Sequence, residues 1–293
     1  MRQNHLFTRV WQAPAVRQTR HLATPRLWYR QVTASRRRLP DLIIAGAQKA
    51  GTTSLFGYLS EHPSLTASLK KEVHYFDQNL ARGENWYRMH FPIRSRSVGQ
   101  TPRGDQLCFE SSPYYMFDPR VPQLIRRTVP HVKLIFLLRD PVSRAYSHYQ
   151  HSAQRGRESL SFEEAIEAEP ERLAGEHERM MADPHFQSEP HRHYSYLARG
   201  VYVDQLLRWQ EHFDRERMLV VQAERMFRAP GDVFNEVLAF LEAPSWTPPR
   251  FATHNSGRYR ATMSDATRKR LRQYFAGHNE RLFDLLGVRY DWR

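Results

Sequence analysis

A lysine and several hydroxyl residues cluster in a glycine-bounded loop early in the chain. The segment reads GAQKAGTTS (Gly46–Ser54), and its two glycines have the G-x-x-x-x-G spacing of a phosphate-binding P-loop. In the P-loop of an ATPase the lysine follows the second glycine, but here that position is Thr52 and Lys49 lies inside the loop. Backbone N–H groups and a helix N-terminus can still bind an anion. The displaced lysine therefore favours an anionic group shorter than a triphosphate.

Two further segments carry residues suited to proton transfer. In KKEVHYFD (Lys70–Asp77), Glu72 can accept a proton from an attacking group, and His74 is a rival or assisting base because imidazole titrates near neutral pH. The alternative is that Glu72 is an exposed glutamate paired with a neighbouring lysine. The segment ESSPYYMF (Glu110–Phe117) adds a carboxylate and two serines.

A fourth segment combines an arginine with a hydroxyl residue. It reads LLRDPVSRAYSHYQH (Leu137–His151), with Arg139 after an apolar run and Ser147 eight positions later. The planar arginine fork matches phosphate geometry, and the serine hydroxyl supplies another hydrogen bond. A salt bridge at a strand end is the competing interpretation of Arg139. Both side chains meet only if a strand, a turn and a helix bring them together.

Alternating strands and helices are predicted to position these residues. Apolar runs predict strands at 42–45, Val132–Leu138 and Met218–Gln222, followed by helices over Thr52–Glu61, Val142–Gln154 and Asp232–Leu241. This alternation is typical of an α/β protein with a parallel sheet, whose ligands bind beyond the carboxyl ends of the strands. The charged stretch 155–195 is predicted to form helical excursions or a lid, and Ser264–Leu286 one or two terminal helices.

In their order and spacing, the four segments resemble the PAPS-dependent sulfotransferases. The resemblance is strongest to the carbohydrate type that includes the heparan sulfate glucosaminyl N- and 3-O-sulfotransferases, in a bacterial-type form. It extends from about Leu39 to the end, including QYFAGHNERLFDLLGVRYDW. It implies a P-loop-like three-layer α/β fold with a central parallel sheet flanked by helices. The implied domains are a basic extension (1–38) and a sulfotransferase domain (39–293), with 155–195 as the acceptor-side lid.

The resemblance also implies a role for individual residues. PAPS would be the cosubstrate and PAP the product, with no metal. The 5′-phosphosulfate loop would comprise Lys49, Ala50, Gly51, Thr52, Thr53 and Ser54, and Lys49 would stabilise the departing bridging oxygen. Arg139 and Ser147 would bind the 3′-phosphate. Further nucleotide contacts are expected from Tyr202, which is equally suited to the core, and from Gly257 and Arg258.

On the acceptor side, the resemblance implies Glu72 as the base, with His74 assisting it. Lys71, Glu110 and Ser111 are expected to contact the acceptor, which would be a glycan or a small molecule carrying a hydroxyl or amine. The glucosaminyl enzymes commonly have a lysine after the glutamate, where this chain has Ser111. That departure weakens the inference that the acceptor is a sulfated glycosaminoglycan.

The distribution of charge and the cysteine content indicate which partners and which cellular location to expect. Nine arginines and no lysine or acid occur in residues 1–40, and subtracting nine from the formal charge of +13 leaves +4 for the remainder. This arm is either a tether to nucleic acid or a membrane surface, a targeting peptide, or a solvated extension. Cys108 is the only cysteine, so an intramolecular disulfide is excluded and a reducing, cytoplasmic location is predicted. No apolar run is long enough to predict a membrane span.

The sequence suggests two alternative classes of function. A P-loop kinase needs a lysine after Gly51 and an acid for Mg²⁺ at a strand end, for which Asp140 is a weak candidate. A non-catalytic protein that binds nucleic acid or membrane through its arm would leave the four motifs unexplained. The scattered His185, His191 and His193 lack the cysteine or carboxylate grouping of a zinc site.

Overall fold

The computed structural model describes residues 25–94, 106–252 and 263–292. In these residues the centre of the molecule is a five-stranded sheet in which every neighbouring pair of strands is parallel. The spatial order is β2-β3-β1-β4-β5. The strands are β1 (Leu42–Gly46), β2 (Leu65–Ala67), β3 (Leu107–Ser111), β4 (Lys133–Leu138) and β5 (Met218–Gln222).

Helices flank this sheet. In chain order they are α1 (Pro25–Val32), α2 (Thr52–Glu61), α3 (Tyr75–Gln78), α4 (Gly83–Arg88), α5 (Val121–Thr128), α6 (Pro141–Gln154), α7 (Phe162–Glu167), α8 (Glu169–Leu173), α9 (Glu176–Ala182), α10 (Glu189–His193), α11 (Tyr202–Gln210), α12 (Ala223–Arg228), α13 (Pro230–Leu241) and α14 (Asp265–Leu286). Short 3-10 turns occur at Ala34–Arg36, Leu80–Arg82, Ala198–Gly200 and Arg215–Arg217.

Strands β1 and β4 form the centre of the core because their sequences are apolar on both faces. Every residue of β1 is buried, and only the first residue of β4, Lys133, is partly exposed. A parallel strand covered by helices on both sides needs such a continuous apolar run. The edge strand β5 buries only its first and fourth residues. The α/β class and the parallel sheet predicted from the sequence are therefore confirmed.

The carboxyl ends of the strands all lie at one edge of the sheet, as parallel pairing requires. The Gly46–Gly51 loop follows β1, the segment with Glu72 follows β2, Ser112 follows β3 and Arg139 follows β4. The four motifs therefore converge at this edge. Strands β2 and β3 were not predicted, because β2 has three residues and β3 (LCFES) mixes apolar with polar side chains.

The segment 155–195 contains four short helices, as expected for the helical excursions predicted from the sequence. Of its helices α7 to α10, α7 contributes to a second apolar cluster separate from the main core. In this cluster Phe162 and Ile166 of α7 are grouped with Val142 of α6 and Phe275 of α14. The terminal segment is a single helix, α14, which Ser264 caps by accepting a hydrogen bond from the Thr267 N–H.

The described part of the arm packs against the domain. Arg37 is buried and its guanidinium donates to the carbonyl of Phe91 at 2.9 Å. Arg30 of α1 donates to the carbonyls of Met89 and Phe91 at 2.7 and 2.8 Å. Residues 25–38 are thus attached to the 88–94 segment.

Candidate active site

The loop after β1 has the backbone of an anion-binding turn. Lys49 and Gly51 have positive φ values of 71° and 93°, and Gly51 is the N-cap of α2 without a side-chain capping bond. The first N–H groups of a helix have no intrahelical acceptor. Ala50, Thr52 and Ser54 are buried. The loop therefore combines the N-terminus of α2 with the Lys49 side chain, as an anion-binding turn requires.

Gly46 and Gly51 are required by close packing as well as by conformation. A Cβ on Gly46 would lie 2.4 Å from the Cβ of Met116, and one on Gly51 would lie 2.6 Å from the Cε of Met226. Both distances are too short unless the neighbour shifts; Met116 Cβ is fixed by its backbone, whereas Met226 Cε is the end of a flexible side chain. Segments that follow β3 and β5 thus hold the loop in place.

Arg139 connects the loop to β4. Its guanidinium donates to the carbonyl of Lys49 at 3.1 Å, and the next residue, Asp140, caps α6 by accepting from the Ser143 N–H at 2.6 Å. Arg144, Ser147 and His151 recur along α6 at the spacing of one helix face. Ser147 is buried. The helix therefore carries a guanidinium, a hydroxyl and an imidazole on a face that begins beside the loop.

Glu72 lies in a row of alternating charges. Its carboxylate accepts from Lys71 Nζ at 2.9 Å and from His74 Nε2 at 3.2 Å, and His74 Nδ1 lies 2.7 Å from an Asp77 oxygen. Burial disfavours the charged form of Glu72, but hydrogen bonds and charge from His74 and Lys71 outweigh it and lower its pKa to about 2. The side chain remains 45% exposed. Glu72 is thus an accessible carboxylate at neutral pH.

His74 is protonated in this arrangement. Burial lowers its pKa, but Asp77 and Glu72 have the larger combined effect and raise the pKa to about 9. An imidazolium has no lone pair with which to accept a proton. The role of second base predicted for His74 is therefore not supported, and its geometry is that of a cation that orients Glu72.

Glu110 supports the Glu72 segment from the interior. Its carboxylate is fully buried and accepts hydrogen bonds from the Ser112 hydroxyl at 2.7 Å and the Tyr115 hydroxyl at 3.3 Å. Those hydroxyls accept from the backbone N–H groups of His74 and Tyr75 at 3.1 and 2.7 Å. Burial raises the pKa of Glu110 to about 7 despite hydrogen bonds that oppose the rise. Glu110 thereby fixes the backbone that carries Glu72.

Several residues that were predicted to contact ligands are buried and have no exposed surface. Glu110 and Ser111 are completely buried, so the acceptor contacts predicted for them are not supported. Tyr202 is a core residue whose hydroxyl donates to the carbonyl of Arg139 at 2.9 Å, so it supports Arg139 from behind. Arg144 of α6 is also fully buried. Gly257 and Arg258 lie outside the described residues.

Positive charge is concentrated around Lys49. Burial is the largest cause that lowers the pKa of Lys49. Arg155, Arg139 and Arg144 lower this pKa further, and Glu72 opposes them. Its Nζ lies 3.5 Å from His151 Nδ1. Neighbouring cations that depress a lysine pKa in this way also attract an anion, because a bound negative charge relieves their mutual repulsion. The electrostatics thus match the geometry of the loop.

All four motifs line one cavity of about 220 Å³. The loop contributes Gln48, the second segment Glu72 and His74, the third Tyr114, and α6 contributes His151. Arg155 also lines it. Gln48, His151 and Arg155 were not predicted as site residues, although Gln48 and His151 lie inside the quoted motifs. Their position in the sequence was the one feature that could have identified them. His151, for example, follows Ser147 by one helical turn.

Within the ranges that the structure describes, no group of three or more histidine, cysteine, aspartate or glutamate side chains could hold a metal ion. In the same residues, no helix is long and apolar enough to cross a membrane.

Comparison with known proteins agrees with this geometry. Residues 39–274 match the model of the sulfotransferase domain family. A crystal structure of a sulfotransferase from Alicyclobacillus acidocaldarius is 31% identical, with a TM-score of 0.65 over 87% of this chain and 99% of that one.

Two curated relatives represent different architectures. The bifunctional heparan sulfate N-deacetylase/N-sulfotransferase 1 of Caenorhabditis elegans is 29% identical over 82% of this chain but 26% of its own length. The human heparan sulfate glucosamine 3-O-sulfotransferase 6 is 27% identical over 88% of this chain and 75% of its own. The chain thus spans about a quarter of the bifunctional relatives. The family match covers most of its length, and this chain belongs to the sulfotransferase domain family.

Proposed function

We propose that this protein transfers the sulfuryl group of PAPS to a hydroxyl or amine of a carbohydrate acceptor, with Glu72 as the base. The observation that carries the proposal is the single cavity where the Gln48 loop, Glu72 and the α6 face meet. A donor anion and a proton acceptor are needed side by side in any such transfer. No covalent enzyme intermediate is required.

The donor side of the proposal is supported by the loop and Arg139. The loop fits a 5′-phosphosulfate because helix N–H groups, buried hydroxyls and Lys49 surround it, and Arg139 beside it would pair with the 3′-phosphate. A kinase is less well supported, because Asp140 is engaged as the N-cap of α6 rather than free to bind Mg²⁺. The position after Gly51 is also a threonine.

The transfer itself is an in-line displacement at sulfur. The acceptor oxygen or nitrogen forms a bond to sulfur while the bond from sulfur to the bridging oxygen of the 5′-phosphate breaks. Glu72 takes the acceptor proton, and Lys49 stabilises the charge that develops on the bridging oxygen. The products are PAP and the sulfated acceptor.

A carboxylate with a pKa of about 2 is a weak base until its partners change. Lys71 and His74 lower the pKa, whereas burial raises it. An acceptor that covers Glu72 and displaces Lys71 from it would remove one stabilising contact and increase burial. Both changes raise the pKa of Glu72 toward the range in which general-base help is effective. Acceptor binding therefore activates the base.

The class of acceptor rests on the relatives. The matched enzymes from worm and human are named for heparan sulfate substrates, which suggests a glycan with a free hydroxyl or amine. The cationic side chains around the cavity are compatible with an acidic glycan.

The test is transfer from radiolabelled PAPS to a panel of acceptors, followed by mass spectrometry of the products. The panel contains glucuronic acid–glucosamine oligosaccharides, phenols and lipid alcohols. We expect sulfation of the saccharides by the wild type and a loss of about 10² or more in turnover for Glu72→Gln, with PAP affinity unchanged by calorimetry. Wild-type turnover in Glu72→Gln would remove Glu72 from the role of base, and failure of the wild type to bind PAP would reject the whole proposal.

A further inference from the structure

Helix α1 presents apolar side chains to solvent. Four of its residues recur at the i, i+3, i+4, i+7 spacing of a single helix face, and all four are exposed: Pro25, Trp28, Tyr29 and Val32. Trp28 and Val32 are 65% and 56% exposed, which makes them the two most exposed large apolar side chains in the described residues. We call these four residues the outer face of α1.

The side of α1 that attaches to the domain is largely polar. Arg30 is half-buried and donates to the carbonyls of Met89 and Phe91, and Arg37, after the helix, donates to the same Phe91 carbonyl. Leu27 is the one partly buried apolar residue of the helix. Surface helices normally turn their apolar stripe toward the core and their polar residues toward water. Because α1 has the reverse orientation, its outer face indicates an apolar partner.

The surroundings of the outer face are cationic. The arm segment 25–38 contains five arginines, the attached segment 88–94 contains two, and neither contains an acidic residue. Two carboxylates from outside these segments, Asp41 and Glu84, pair with two of the arginines. The other five have no carboxylate partner within the part of the chain that the structure describes. Residues 1–24 add four arginines and no acidic residue.

Some of these cations lie close enough to repel one another. Burial, Arg37 and Arg26 together lower the pKa of Arg30 to about 10. Arg94 adds an exposed cation next to the arm, since its N–H donates to the carbonyl of Arg36 at 2.9 Å. A negatively charged partner would relieve this repulsion. The partner is therefore expected to be anionic as well as apolar.

The exposed apolar surface continues onto the 88–94 segment. Ile93 is 39% exposed and lies opposite Arg37 in an isolated antiparallel bridge. The arm and this segment thus each present apolar side chains beside exposed arginines.

This combination favours a membrane surface over a protein or a nucleic acid. A standard protein interface covers about 800 Å² on each partner with roughly 20–30 residues, whereas the outer face and Ile93 supply five side chains. A lipid surface needs no complementary shape, because apolar side chains enter the boundary between headgroups and acyl chains while arginines bind anionic headgroups. Tryptophan and tyrosine concentrate at that boundary. A nucleic acid would use the arginines but leave Val32 and Ile93 exposed.

We propose that α1 is an interfacial helix that attaches this protein to the surface of an anionic membrane. The helix lies along the surface, with its outer face between headgroups and acyl chains and with Arg36 and Arg94 on lipid phosphates. Trp28 and Val32 make most of the apolar contact, because the Arg37 guanidinium already lies 5.7 Å from the centroid of the Tyr29 ring. This attachment goes beyond the proposed sulfuryl transfer and does not depend on it.

The experiment measures binding of the full chain to vesicles by flotation. The vesicles contain phosphatidylcholine alone or phosphatidylcholine with phosphatidylglycerol. We expect the wild type to bind the anionic vesicles at least about tenfold more strongly. The double substitution Trp28→Ser with Val32→Ser should weaken binding to the anionic vesicles about tenfold or more. Arg36→Glu should weaken it about tenfold.

Two matched controls make the same changes elsewhere on the surface. Val288→Ser replaces an exposed valine after α14, and Arg127→Glu replaces an exposed arginine of α5. Both should bind the anionic vesicles as the wild type does. All the substituted side chains are exposed, so the melting temperatures of the variants should equal that of the wild type, which separates lost binding from lost folding.

Trp28→Phe distinguishes insertion into the lipid from adsorption by charge. Bromine atoms on lipid acyl chains quench tryptophans that lie beside them. The wild type should lose fluorescence on binding anionic vesicles that contain brominated lipid. Trp28→Phe keeps the outer face apolar, so it should bind equally well but show less quenching.

Three outcomes would overturn the proposal. The first is a wild type that does not bind the anionic vesicles, and the second is equal binding by the wild type and the double variant. The third is a wild-type dimer that the double variant converts to a monomer, because the outer face would then join two copies of the chain. Binding to RNA that Arg36→Glu abolishes and the double variant retains, without binding to vesicles, would assign the arm to nucleic acid instead. None of these readouts involves PAP, so they stand apart from the test of the proposed function.

Discussion

At the scale of single residues, the charges around Glu72 explain how a carboxylate can be kept ionised and yet be used as a base. His74 and Lys71 hold it as an anion, and the His74 imidazolium is itself held by Asp77. Sequence alone identified Glu72 and His74 as candidates, but it could not assign their protonation states. The protonation states depend on Asp77, which lies in the first turn of α3 and whose carboxylate contacts the His74 imidazole.

The protonation of His74 predicts a pH-dependent stability. Its folded-state pKa of about 9 lies above the usual value of 6.5, so its contribution is fully present below pH 6.5 and is lost as the pH rises through 9. We expect His74→Asn, which tolerates the positive φ of 54°, to lower the free energy of unfolding by roughly 2–3 kcal/mol more at about pH 6 than at about pH 9.5. Urea denaturation measures this difference, and an equal effect at both pH values would show that His74 is not charged.

Substitution of Arg139 is expected to change the affinity for the nucleotide. Removing its guanidinium should weaken PAP binding about 10- to 100-fold, because charged hydrogen bonds are worth about 1.5–3 kcal/mol. Calorimetry of Arg139→Ala measures the affinity. Arg127→Ala, which removes an exposed arginine from the end of α5, should bind PAP normally. Equal dissociation constants for Arg139→Ala and the wild type would exclude Arg139 from the 3′-phosphate site.

At the scale of elements, the site is an edge of the sheet at which loops are fixed by residues from other strands. Glu110 of β3 orders the backbone after β2, and Met116 and Met226 limit the space around the loop after β1. These are long-range contacts. Each motif could be recognised in the sequence because it is local, whereas the contacts that hold the motifs together could not.

The conformation of Gly51 predicts a loss of both stability and binding on substitution. Gly51→Ala would force a side chain into a positive φ of 93° and against Met226 and Phe227, at a cost of about 1–3 kcal/mol. PAP affinity should fall with it, because the loop must shift. Gly277→Ala in α14 is the control, since its Cβ would meet nothing within 4 Å. That change should stabilise the protein by about 0.5–1 kcal/mol. Normal PAP binding by Gly51→Ala would contradict the assigned loop.

The sequence predicted two of the strand–loop–helix units to within one residue at most boundaries, because β1 and β4 are uniformly apolar and α6 has Pro141 and the Asp140 cap at its start. It failed at β3, where Glu110 interrupts the apolar pattern. The same residue explains the failure at the site. A glutamate beside serines suggests an exposed, acceptor-binding position, but Tyr87, Ser112 and Tyr115 satisfy it in the interior. Those partners come from two separate stretches of chain, α4 and the segment after β3.

At the scale of the whole molecule, the chain is a sulfotransferase domain with a basic arm whose described part is attached through Arg30 and Arg37, although α1 itself has no buried residue. The family, the class of enzyme and the fold that the motifs predicted are confirmed. The cytoplasmic location, the domain boundary at residue 38 and the lid role of 155–195 stay predictions.

Buried histidines predict that the folded protein is sensitive to mild acid. Burial, together with nearby cations, lowers the pKa of His90, His148, His151, His191 and His193. The unfolded chain therefore binds more protons at these residues once the pH falls below 6.5. Glu110 and Glu169, with pKa values raised to about 7, act in the opposite direction. Because five histidines oppose two glutamates, the free energy of unfolding should fall as the pH is lowered from about 6.5 to about 5.

Scanning calorimetry at several pH values measures this sensitivity. The melting temperature should decrease on acidification from about pH 6.5 to about pH 5. A melting temperature that stays constant or rises would mean that the histidines are not held neutral in the folded state.

The most direct test of the whole account is a crystal structure with adenosine 3′,5′-bisphosphate bound. The 5′-phosphate should lie on the loop that contains Lys49 and the N-terminus of α2, and the 3′-phosphate should pair with Arg139, leaving Glu72 beside the 5′ end. A nucleotide bound elsewhere, with the Lys49 loop making no contact to phosphate, would contradict the assignment of both the donor site and the base.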